Sequence, residues 1–102
     1  AQAFIVIAED KTNLMAKVGG AVKDNAFPPL DIGILTGFIT LAATEEKIGS
    51  CIIGIFKENI VREECGLSKK RRIRLIVSLG YPKEDTLREK KRKPLDSFVH
   101  YL

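Results

Sequence analysis

The sequence predicts an α+β fold, and three observations carry that reading. Ala3-Phe4-Ile5-Val6-Ile7-Ala8 and Ile73-Arg74-Leu75-Ile76-Val77-Ser78-Leu79 are short apolar runs rich in β-branched residues, as buried strands are. From Ile32 to Ala43 there is no charge, and apolar side chains occupy every face of the helix that the stretch would form. Strands and helices are mixed within 102 residues, with no internal repeat and no low-complexity linker, so one layered domain is expected at most.

The elements follow in order. Ala3 to Ala8 is the first strand. Asn13 to Val18 allows a helical turn that Gly19-Gly20 breaks, and Pro28-Pro29 is expected to forbid regular structure. Asp31 is the candidate N-cap of the long helix, because its carboxylate can accept free N–H groups of a first turn. That helix, apolar all round, must be buried on all sides, which in so small a chain argues for a partner subunit. It becomes polar at Thr44-Glu45-Glu46-Lys47 and is expected to end near Gly49. Cys51-Ile52-Ile53 reads as a second buried strand interrupted by Gly54, with Cys51 as a small core residue. Glu58 to Cys65 reads as a short helix with acids toward its start and Gly66 beyond its end. The third strand runs from Arg72 to Leu79 and stops at Gly80-Tyr81-Pro82; a charged loop over residues 83–93 then leads to Pro94 and an apolar tail.

Composition narrows the function classes. An apolar fraction of 45% and a charged fraction of 29% describe an ordinary globular chain and exclude a disordered one. The net charge of +4 is concentrated in Lys69-Lys70-Arg71-Arg72-Ile73-Arg74 and in Arg88 to Lys93. Such runs suit an anionic cofactor, nucleic acid or lipid, or form a solvated surface. Phe4, Phe27, Phe38 and Phe56 sit in apolar contexts and do not interleave with cations as a base-stacking surface would, so no nucleic-acid partner is expected. No stretch approaches the roughly 20 apolar residues of a membrane span, so no membrane partner is expected. Two cysteines and one histidine supply no disulfide framework and no metal-ligand spacing, and a reducing cytoplasm is the expected location. The sequence has no Ser-His-Asp set, no phosphate-binding glycine loop and no paired carboxylates in an apolar setting, so no catalytic side chain is assigned. An enzyme of this composition would draw its chemistry from a cofactor.

Three motifs stand out: Ile48-Gly49-Ser50-Cys51-Ile52-Ile53-Gly54, Leu79-Gly80-Tyr81-Pro82, and the tail Lys90-Lys91-Arg92-Lys93-Pro94-Leu95 running into Phe98-Val99-His100-Tyr101. In this order and near this spacing they resemble the nitroreductase family of FMN-dependent NAD(P)H oxidoreductases. The resemblance implies a mixed sheet flanked by helices, a central buried helix, and a C-terminal arm exchanged in a homodimer. It covers residues 1–102 as the C-terminal part of a single nitroreductase-like domain, roughly the last three-fifths of a short family member. The family's N-terminal Arg-rich phosphate-binding helix and the segment beside the flavin ring have no counterpart in this sequence, and the missing initiator Met and abrupt start suggest a piece of a longer protein.

The resemblance also assigns roles. The turn at Ile53, Gly54 and Ile55 would run along the flavin ring, with backbone N–H groups at its N5 and O4 and Ile53 against its face. Gly54, lacking a Cβ, permits that approach, though a strand end or bulge needs a glycine just as well. Lys90 and Arg92 match the Lys-x-Arg pair that holds the FMN phosphate; spaced by one residue in an extended segment, both point to the same side. The implied activity is two-electron transfer from NAD(P)H through FMN to a small-molecule acceptor such as a nitroaromatic or quinone. The alternative is a non-catalytic, flavin-free dimeric remnant with a structural or regulatory role. Two positions depart from the family pattern: Ile52 stands where Trp is common, and Lys57 where an Asp often caps the following helix, so that cap is expected to be lost.

Overall fold

The computed structural model describes residues 1–10 and 27–102; the expected turn over Asn13 to Val18 and the Gly19-Gly20 break lie outside these. Strand β1 (Ala3–Ala8) is followed by helix α1 (Phe27–Glu45), strand β2 (Gly49–Ile53), helix α2 (Glu58–Glu64), strand β3 (Ile73–Gly80) and a single 3-10 turn at Leu95–Ser97. The three strands form one sheet in the order β1-β3-β2, with β3 antiparallel to both neighbours. Strands β1 and β2 therefore run in the same direction but are separated by β3, a split β-α-β arrangement with α1 in the connection. Among the described residues the sheet is purely antiparallel, not the mixed sheet expected, because β3 occupies the place where β1 and β2 would otherwise have paired in parallel.

The central position of β3 explains its sequence. Val77 stands between Ile5 of β1 and Ile52 of β2 and is completely buried. Alternation along the pleat sends Leu75, Val77 and Leu79 to the face that α1 covers, where Ile5, Ile7, Ile32 and Ile39 complete the core. The opposite face carries Ile76 between Val6 and Ile53, and beside them Phe4, which is 60% exposed. Strand β2 is an exposed edge; Cys51 and Ile52 are exposed and only Ile53 is half-buried, so the reading of a buried strand with Cys51 in the core is corrected. An edge strand has one paired neighbour, and no described element covers this one's outer flank.

Helix α1 is longer than expected. It is helical from Phe27, so Pro28 and Pro29 lie in its first turn, where a missing N–H costs no helical bond, and Asp31 is an exposed interior residue instead of the N-cap. Its residues 32, 36, 39 and 43 make a stripe at helical spacing that packs on the sheet, and within it the Thr36 hydroxyl donates to the Ile32 carbonyl at 2.6 Å. A second stripe, Leu30, Ile34, Phe38 and Leu41, points the other way and is exposed, Phe38 by 67% and Leu41 by 69%. Among the described residues the helix is thus buried on one side only, against the single layer that the sheet supplies. At 19 residues it is also long and apolar enough, by length and composition, to cross a membrane, where no such stretch was expected. Its sheet-facing stripe, however, fills the core of a layered domain.

Both helices end alike. At α2, Gly66 takes φ +62°, and the N–H groups of Gly66 and Leu67 donate to the carbonyls of Glu63 and Arg62, the paired bonds of a Schellman cap. At α1 the same two bonds run from Lys47 to Thr44 and from Ile48 to Ala43, with Lys47 in the left-handed position at φ 59°. The chain then enters β2 at Gly49, which lies opposite Gly80; a Cβ on Gly49 would sit 3.1 Å from the Gly80 carbonyl oxygen.

Candidate functional site

Ile53, Gly54 and Ile55 lie together where β2 leaves the sheet. Ile53 is the last paired residue, opposite Ile76. Gly54 is exposed, its φ is outside the left-handed region, and an added Cβ would meet only Leu75 Cδ2 at 3.8 Å, an ordinary contact. Packing among the described residues therefore gives no reason for glycine here. Ile55 is 95% exposed, a large apolar side chain with its surface turned to solvent. An uncrowded main chain flanked by a half-buried and a bare isoleucine is a surface on which a flat apolar group can lie.

The turn continues through Phe56 and Lys57 into α2. Lys57 occupies the N-cap position and makes no side-chain capping bond, as its departure from the family pattern implied. The adjacent Glu58 ties the helix start to the sheet instead: its Oε1 accepts the Ile73 N–H at 2.9 Å and lies 3.0 Å from the Arg62 guanidinium, while Oε2 is 3.9 Å from Arg72 Nε. The Ile73 N–H, together with the Arg62 and Arg72 charges, holds the Glu58 carboxyl below the usual carboxylate range, outweighing a desolvation that acts the other way. Arg62 also donates to the Lys69 carbonyl at 3.2 Å, fixing the basic loop that precedes β3. Two further ion pairs hold the β1 exit, Arg71 with Asp10 to the same loop and Arg74 with Glu9 to the start of β3. Part of the Lys69–Arg74 charge run is thereby spent internally.

Lys90 and Arg92 lie in irregular chain, and every residue from Tyr81 to Phe98 is exposed. Among the described residues no hydrogen bond or ion pair joins either cation to the Ile53–Ile55 turn or to a carboxylate. The structure thus brings Ile53, Gly54 and Ile55 together and leaves Lys90 and Arg92 apart from them on an open tail. Beyond Pro94, the Leu95–Ser97 turn is closed by the Ser97 N–H and hydroxyl, both donating to the Pro94 carbonyl. Phe98 and Tyr101 remain exposed. Cys51 and Cys65 are both free and exposed.

Residues 1–81 match the family model described as the nitroreductase family. The chain belongs to the nitroreductase family. This match takes in the first glycine motif and the second as far as Tyr81, with Gly49 and Gly80 facing each other in register, and stops short of Lys90 and Arg92. Among solved structures, the chain is similar to a nitroreductase family protein from Streptococcus pneumoniae TIGR4, at 26% identity and a TM-score of 0.67 over 89% of this chain. It covers 42% of that relative's length. No curated protein matches. The family membership rests on that model match, and the solved relative shares the α+β scaffold.

Sequence reasoning passed over Glu58 and Lys47. Glu58 had a visible signal, an acid at the first helical position with Arg62 four residues on, the favourable order for a helical ion pair. Lys47 had none, since lysine carries no preference for left-handed backbone.

Proposed function

We propose that this chain is part of an FMN-dependent NAD(P)H oxidoreductase acting on a nitroaromatic, quinone or similar acceptor. The observation that carries the reading is the Gly54 turn: in a chain whose first 81 residues match the nitroreductase model, the main chain at Gly54 is uncrowded by the described residues, whose packing does not call for glycine. These residues fit a flavin. The Gly54 and Ile55 backbone can present N–H donors to the ring's polar edge, and Ile53 and Ile55 offer apolar surface to its faces. Lys90 and Arg92, unpaired among the described residues, are available to a phosphate. Bound FMN would supply the two-electron chemistry, taking hydride from NAD(P)H and passing the electrons to the acceptor. The protein's part is to bind and orient the ring and to favour its electron-rich state through donors at the polar edge. No side chain is assigned as a proton donor.

The proposed assembly is a cytoplasmic homodimer with no nucleic-acid or membrane partner. The outward stripe of α1, with a shallow groove of about 220 Å³ lined by Ile34, Gly37, Phe38 and Leu41, supports a second copy as its cover. The Phe98-Val99-His100-Tyr101 segment, exposed but for a half-buried Val99, supports an arm that adds to the partner's sheet. One observation favours a second reading, a flavin-free dimeric remnant: within the chain, Lys90 and Arg92 are not tied to the Gly54 turn. Native mass spectrometry of the purified protein, followed by denaturation in the same run, separates the two. A dimer that releases FMN supports the enzyme; a dimer of 11.3 kDa chains that releases no cofactor discards it.

A further inference from the structure

The segment from Gly54 to Lys57 bridges two anchor points on one strand. At its near end Ile53 pairs with Ile76 of β3. At its far end the Glu58 carboxylate accepts the N–H of Ile73, the first residue of β3. Lys57 supplies no side-chain cap, and that carboxylate provides the hydrogen bond that joins the start of α2 to the sheet. Two cations face Glu58: Arg62 from the next turn of α2 and Arg72 from the loop before β3.

We infer that Glu58 is a positioning residue for the Ile53–Ile55 backbone, a clasp that closes the intervening residues into a strap held at both ends by β3. Cutting the clasp removes the hydrogen bond at the far end, so the Gly54 and Ile55 amides lose part of what fixes their direction. The clasp concerns this chain's own residues; its purpose, holding two donors toward a flavin edge, rests on the function proposed above.

The test compares E58A, which removes both acceptor and charge, with E58Q, which keeps an acceptor for the Ile73 N–H and drops the charge. V61A serves as control, weakening the same helix without touching the carboxylate. Two readouts are taken on the purified protein: ¹⁵N order parameters of Gly54 and Ile55 without flavin, and FMN affinity by fluorescence titration. The expected result is a fall in E58A from rigid values of about 0.85 to below about 0.6, with E58Q in between. FMN binding in E58A weakens at least tenfold, while V61A, at an equal or greater loss of Tm, keeps both readouts at wild-type values. Should E58A fail to fold, E58Q against V61A decides. Rigid Gly54 and Ile55 amides in E58A, or equal loosening in V61A, overturn the clasp. A wild-type protein that binds no FMN but whose turn loosens in E58A upholds the clasp and sinks the flavin reading. A flavin-bound wild type with an unmoved E58A does the reverse.

Discussion

Replacing Gly54 with alanine separates a glycine kept for the fold from one kept for a ligand. Nothing among the described residues opposes the change. The new methyl would lie 3.8 Å from Leu75 Cδ2, ordinary van der Waals contact, and the backbone is outside the left-handed region that penalises a side chain. The unfolded chain loses conformational freedom when glycine becomes alanine, which stabilises a compatible site by about 0.4–1 kcal/mol. In a domain of this size that raises Tm by about 2–8 °C, taking about 4–8 °C per kcal/mol.

A ring lying flat along the same main chain meets a different situation. The Cβ stands about 1.5 Å out from the Cα, and a contact already at van der Waals distance has no such slack. G54A is therefore expected to weaken FMN binding at least tenfold, about 1.4 kcal/mol, while thermal stability holds or rises. Differential scanning fluorimetry and flavin-fluorescence titration on one preparation give both numbers. Unchanged FMN affinity would remove the ring from this turn. A fall in Tm would make Gly54 a structural bulge and return the turn to the fold alone.

The remaining predictions address the tail, the helix and the clasp. K90A/R92A is expected to weaken FMN binding at least tenfold and leave riboflavin binding unchanged, since riboflavin lacks the phosphate; equal loss for both ligands would refute phosphate recognition by these cations. F38E on the outward stripe of α1 appears twice in a two-fold dimer and forfeits about 1.5–3 kcal/mol of burial at each copy. Analytical ultracentrifugation should then show dissociation, and an unaltered dimer would place the interface elsewhere. K47G relieves a left-handed lysine and is expected to stabilise the fold by about 1 kcal/mol, read as a higher urea midpoint at constant slope. For E58Q the sign follows from the lowered folded-state pKa: the ionised carboxylate stabilises the fold above the ordinary carboxylate range, and this is lost as pH falls through the lowered value. Wild type should exceed E58Q in stability at about pH 7, with the gap closing below about pH 4; a gap that widens in acid would contradict the assignment.

Legibility in the sequence tracked the range of the forces involved. The three strands, the short helix and its Gly66 cap were readable because short β-branched apolar runs and a glycine just past a helix are local signals. The start of α1 was misplaced because Pro28-Pro29 breaks a helix interior and is harmless in a first turn, and sequence alone did not say which applied. The order β1-β3-β2 was hidden as well. Val77 reads as one more apolar residue until Ile5 and Ile52, 72 and 25 positions away in the chain, are found on either side of it.

The candidate site divides the same way. Ile53, Gly54 and Ile55 are contiguous, so naming them as one unit needed no tertiary knowledge, and the structure keeps them together at the end of β2. Glu58 escaped notice because its decisive partner is the N–H of Ile73, a main-chain donor that any residue at that position would have offered. The uncharged run of α1 is the intermediate case. Its composition said that every face must be buried, which is a demand for cover and not a description of it. Ile32, Thr36, Ile39 and Ala43 meet that demand against the sheet, whereas Leu30, Ile34, Phe38 and Leu41 carry it outward. A helix with two opposed apolar stripes needs two apolar layers. One layer is this chain's own sheet; in the homodimer proposed above another copy would contribute the second, which polar substitution at Phe38 tests directly.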